Sequence, residues 1–79
     1  MRVEVLGAGC AKCRRQVKNV ERAIEALGIE AEVAKVEDLE EMADRGVSLT
    51  PAVAVDGELV TSGRVAGVEE LVGLLGSRT

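Results

Sequence analysis

The chemistry this sequence offers rests on two sulfurs. Cys10 and Cys13 stand in Gly7-Ala8-Gly9-Cys10-Ala11-Lys12-Cys13, and the 79-residue chain has no further cysteine and no histidine. On an α-helix, residues three apart are displaced about 4.5 Å along the axis and roughly 60° around it, which leaves their Cα atoms about 5 Å apart. A disulfide tolerates Cα separations of roughly 4.4–6.8 Å. Such a pair closes and opens without unfolding anything. It encloses almost no chain, so it adds little as a staple. A secreted disulfide scaffold of this length normally carries four or more cysteines. Reactivity explains the pair better than reinforcement.

Position sharpens the roles. Cys10 opens a helical pattern, where unsatisfied N–H groups and the helix dipole favour negative charge. Lys12, Arg14 and Arg15 add cations within the first turns. Such surroundings hold a thiol below the usual range of free cysteine. Cys10 is therefore the expected nucleophile, and Cys13, one turn further in and less exposed, the resolving thiol. The Cys10 thiolate attacks a substrate disulfide to give a mixed disulfide, which Cys13 then resolves. Gly7 and Gly9, lacking side chains, leave the approach to Cys10 open.

Other readings of the same pair exist. A structural zinc needs four ligands, which one C-x-x-C without histidine does not supply. Two inert cysteines packed as small hydrophobes are a second reading. A third is soft-metal binding, since two thiolates suit Cu(I). The Gly7–Cys13 segment loosely resembles the loop of small metallochaperones, which place C-x-x-C at the head of the first helix of a ferredoxin-like βαββαβ fold. A regulatory subunit whose disulfide senses redox state without turnover is a fourth.

The elements that position the pair follow from pattern. Arg2–Leu6 reads as a strand ended by Gly7-Ala8-Gly9. Cys10, Cys13, Val17, Val20, Ile24 and Leu27 recur by three and four, one stripe of a helix that Gly28 caps. Ile29–Val36 is a second strand, and strand–helix–strand at this length favours a parallel pair. Asp38 opens a short helix with Glu41 as capping-box partner, burying Leu39, Met42 and Ala43 and ending at Gly46. Ala52–Val55 and Leu59–Ser62 flank Asp56-Gly57, a strong hairpin signal. Val68, Leu71, Val72 and Leu75 give a last amphipathic helix. The order is βαβαββα, an α/β domain spanning residues 1–79.

Leu49-Thr50-Pro51-Ala52-Val53 carries the only proline. Alone, it reads as a strand's first residue, where no ladder N–H is required. Together with Cys10-Ala11-Lys12-Cys13 upstream and Asp56-Gly57, Gly63 and Glu69-Glu70-Leu71 downstream, it resembles the thioredoxin/glutaredoxin superfamily. The closest likeness is to its compact members, small redox-active disulfide proteins, and it covers nearly the whole chain. The resemblance implies a thioredoxin-like fold whose four-stranded mixed sheet is ordered 2-1-3-4 and flanked by helices, with Pro51 in a cis peptide beside the disulfide. It implies a thiol–disulfide oxidoreductase in which the backbone of Thr50 pairs with an extended substrate segment. Glu4, six residues before Cys10, matches in position a buried acid that assists proton transfer near the resolving thiol. A strand carboxylate at a wet face is the other reading of Glu4.

Composition narrows the partners. The formal charge is −4 with no aromatic residue at all, against the basic stripe and stacking rings of nucleic-acid binders. No apolar run approaches the roughly 20 residues that span a bilayer, and Met1–Val5 lacks the pattern of a signal peptide. These features point to a cytoplasmic, monomeric protein without nucleic-acid or membrane partners. The expected partners are protein disulfides or dithiols and an upstream reductase or dithiol donor. Because electrons would pass through the cysteine pair, no bound cofactor is expected.

Overall fold

The structure, a computed structural model, describes residues 1–8 and 11–78. Its elements run β1 (Arg2–Leu6), α1 (Ala11–Leu27), β2 (Glu32–Val36), α2 (Leu39–Asp44), β3 (Ala52–Val55), β4 (Glu58–Ser62) and α3 (Val68–Gly76). The strands form one sheet in the order β2-β1-β3-β4. β1 pairs parallel with β2 and antiparallel with β3, and β3 pairs antiparallel with β4. This is the mixed 2-1-3-4 sheet expected from the resemblance. The βαβαββα series differs from the βαββαβ order of ferredoxin-like metallochaperones.

Alternation along β1 divides the core into two layers. Val3 and Val5 pack with Val53, Val55, Val20, Ala23, Ala66, Leu71 and Leu75 on the face covered by α1 and α3. Leu6 packs with Val36, Ala52, Ala54 and Met42 on the α2 face. Both layers are built from aliphatic side chains and one methionine, without an aromatic ring. Full burial of one Val or Leu is worth about 1.5–3 kcal/mol.

The hairpin is set by its turn. Asp56 (φ 49°) and Gly57 (φ 88°) both lie in the left-handed region, as a two-residue type I′ connection requires. Val53 pairs with Thr61 but Ala54 with Leu59. Val60 is the extra residue of a bulge that bends β4.

Several boundaries differ from the sequence reading. β2 begins at Glu32 rather than Ile29, because its parallel partner starts at Arg2, opposite Glu32. Asp38 does cap α2, accepting from the Glu40 N–H at 2.9 Å. Glu41, read as its capping-box partner, has a carboxylate oxygen 3.9 Å from the Arg45 guanidinium. Of the three residues expected to be buried on α2, only Met42 is; Leu39 and Ala43 are exposed. A six-residue helix has fewer than two turns and meets the sheet through one side chain.

The stripe on α1 also shifts. Cys13, Gln16, Val20 and Ala23 are its buried residues, with Val17, Ile24 and Leu27 half-buried at the margin. A glutamine takes the core position because the loop before α3 supplies its hydrogen bonds.

Candidate active site

β1 delivers the chain to the head of α1, and its pairing with β2 runs one residue past the strand. The Gly7 N–H donates to Val36 O at 2.9 Å, which ties Gly7 to the end of β2. Gly7 is buried, and a methyl group there would overlap Cys13 Sγ and lie 3.3 Å from Cys13 Cβ and 3.7 Å from Thr50 Cβ. Gly7 is thus the place where the first turn of α1 and the loop before β3 converge. The structure shows Gly7 making room for Cys13; the open approach to Cys10 expected of Gly7 and Gly9 lies outside the described residues.

Cys13 is only 5% exposed. It borders a cleft of about 190 Å³ whose lining includes Val5, Gly7, Val17, Arg14, Lys35 and Glu37. The floor is aliphatic and the rim carries two cations and a carboxylate. Cys10, the expected nucleophile, and its neighbour Gly9 lie outside the described residues. Lys12 is exposed on the first turn of α1.

The Thr50–Pro51 peptide is cis. Pro51 is buried while Thr50 is exposed, so the proline anchors the loop and the residue before it faces outward. The Gly63 N–H donates to Pro51 O at 3.1 Å, joining the end of β4 to this loop. Leu49 is 60% exposed and covers Gly63; a Cβ on Gly63 would sit 3.2 Å from Leu49 Cδ1. With φ at +78° and no space for a side chain, position 63 suits glycine alone. An exposed leucine, the threonine and a side-chain-free glycine therefore form one continuous surface.

Glu4 is not part of this cluster. It is buried, 7% exposed, rather than at a wet face. Strand alternation sends it to the α2 side with Leu6, away from Val5, which borders the Cys13 cleft. There Arg45 grips it with two hydrogen bonds of 2.8 Å. Those bonds, with the positive charge of Arg45 and the more distant Arg2, hold the carboxyl below its ordinary range, although burial pushes the other way. Glu4 is an ionised partner in a structural pair, and this geometry does not support a role in proton transfer to Cys13.

Behind the site, and not lining the Cys13 cleft, lie two residues that sequence reasoning missed. Gln16, one turn beyond Cys13, is fully buried. Its Nε2 donates to Ala66 O at 3.1 Å and its Oε1 accepts from the Ala66 N–H at 2.7 Å. Asn19 Nδ2 donates to the same carbonyl at 3.0 Å. The only local signal was a polar side chain inside the arc of the apolar stripe; its partner lies 50 residues away. Among the described residues, no group of three or more His, Cys, Asp or Glu side chains gathers as a metal site. None of the described helices is long and apolar enough to cross a membrane.

Comparison with known proteins agrees with this arrangement. The family described as "Thioredoxin domain" matches residues 1–76. A protein named thioredoxin from Methanothermobacter thermautotrophicus is 40% identical over 75 residues, 95% of this chain and 97% of that one. A thioredoxin from Methanocaldococcus jannaschii is 44% identical over 69 residues, 87% of this chain and 79% of the relative. These matches lend no support to the soft-metal reading of the two thiols.

Proposed function

The chain belongs to the thioredoxin family of thiol–disulfide oxidoreductases and has the thioredoxin-like α/β fold, and from that premise we propose that it exchanges disulfides with protein partners through Cys10 and Cys13. The observation that carries this reading is the burial of Cys13 against Gly7, beside Thr50 and the loop that Pro51 anchors. A thiol held there suits the second step of exchange and is sheltered from outside reagents.

In the first step, the Cys10 thiolate attacks one sulfur of a substrate disulfide. A Cys10–substrate bond forms, the substrate S–S bond breaks, and the departing sulfur leaves as a thiolate. Cys13, losing its proton, then attacks Cys10 Sγ. The second substrate thiolate leaves, and two electrons have passed to the substrate as the Cys10–Cys13 disulfide forms. A reductase or dithiol donor reverses the change in the pair. The attacking form in this proposal is the Cys10 thiolate, which its place in the sequence just before α1 and near Lys12 would favour. The backbone of Thr50, an exposed residue, pairs with an extended segment of the partner, which docks over Leu49 and Gly63.

Trapping tests the assignment. A Cys13→Ser chain mixed with a disulfide-bearing protein such as insulin should accumulate a mixed disulfide through Cys10, while Cys10→Ser accumulates none. Wild-type reduced protein should reduce insulin. Failure of Cys13→Ser to trap would remove the nucleophilic role from Cys10, and trapping by Cys10→Ser instead would exchange the roles of the two thiols.

A further inference from the structure

We infer that Gln16 is a positioning residue for protein substrates: it ties the helix that carries Cys13 to the loop that completes the docking surface. This inference rests on the exchange activity proposed above and adds a residue that acts on partner binding alone.

The connection can be followed atom by atom. Gln16 lies three residues after Cys13 on the buried face of α1. Both ends of its side-chain amide are used, one on Ala66 O and one on the Ala66 N–H, a closed pair like that between two strand residues. Asn19 adds a second donor to the same carbonyl. Ala66 is itself fully buried. Its loop runs back to Gly63, which donates to Pro51 O and lies under Leu49. At the loop's outer edge Arg64 grips Glu70 of α3, an exposed pair. The interior amide pair is the better-shielded tie, because exposed ion pairs contribute little, whereas a buried peptide group left without its partner is costly.

Gln16 is therefore placed to fix the height of Gly63 and Leu49 relative to Cys13. Without it, the loop shifts and a protein segment docks less well, while the thiols stay as they are. A small disulfide needs no docking surface and is insensitive to the loop.

The test compares two substrates in single-turnover reactions of the reduced chain: insulin, and the small disulfide dithiodipyridine. In Gln16→Met, a chain of similar length without hydrogen-bonding ends, the half-saturating insulin concentration should rise about three- to tenfold, the scale of one net hydrogen bond. The maximal rate, the rate with dithiodipyridine and the reduction potential of the cysteine pair should stay unchanged. Asn19→Ala, which leaves Gln16 in place, should move the insulin value in the same direction by about twofold; it decides the matter if Gln16→Met does not fold. Equal losses on both substrates, a changed potential, or an unchanged half-saturation would overturn the inference. A wild-type chain that reduces neither disulfide would instead overturn the exchange activity itself.

Discussion

Gly7 is buried against the thiol of Cys13 and the side chain of Thr50, with no space for a Cβ. The obstruction is the tip of a cysteine side chain, which rotation can move, together with its Cβ, which it cannot. Gly7→Ala should therefore turn Cys13 away from its position and cost about 1–3 kcal/mol, the range for overpacking a buried site. The measurable effect is on the second step of exchange. Mixed disulfides with insulin should persist longer in Gly7→Ala than in wild type, although Cys13 is still present. Gel analysis of quenched reactions would show this; wild-type lifetimes in the variant would mean that Cys13 is not oriented by Gly7.

Among the elements, α2 is held to the sheet by Met42 and by the Glu4–Arg45 pair just beyond its last turn. Removing one partner of a buried ion pair costs about 3–5 kcal/mol, and less when one side is partly in water. The Arg45 side chain is a quarter exposed, so Arg45→Met should cost about 2–3 kcal/mol by urea denaturation near neutral pH. The pH dependence has a definite sign. The pair holds the Glu4 pKa below its ordinary value. Its stabilisation is therefore fully present above the unfolded-state pKa and is lost as pH falls through the folded-state pKa. Glu4→Gln should be less stable than wild type at neutral pH, and the gap should narrow in acid below the ordinary carboxylate range. A gap that stays constant from about pH 7 down to about pH 2 would show that the carboxylate charge contributes nothing.

The whole molecule has little stability in reserve. A domain of this size buries only about 60–65% of its unfolded surface, and total stabilities of about 0.05–0.15 kcal/mol per residue are usual. Leu71 and Leu75 join α3 to α1 and to the strands, and both are fully buried. Leu71→Ala should cost about 2–5 kcal/mol, a large fraction of the total. The urea midpoint should fall while the slope of the transition stays the same. Exchange activity per folded molecule should survive, because the leucine is not among the residues lining the Cys13 cleft.

Much of this architecture was legible in the chain itself, because its signals are local. The strand pattern of Arg2–Leu6, the Asp56-Gly57 turn and the capping aspartate at position 38 each act within a few residues, and all appear where expected. The Cys10–Cys13 spacing and the Thr50–Pro51 pair were likewise legible as motifs. Burial within each helix was less so: periodicity placed Leu39 inside and overlooked Gln16, since it counts apolar residues and knows nothing of what faces them. The surroundings of Glu4 and Gln16 were decided only in three dimensions. Arg45 is 41 residues from Glu4, and Ala66 is 50 from Gln16. No pattern along the chain brings such partners together. A buried carboxylate or amide is tolerated only where folding delivers its hydrogen bonds, and the packing of α1, α2 and the final loop on one sheet supplies them.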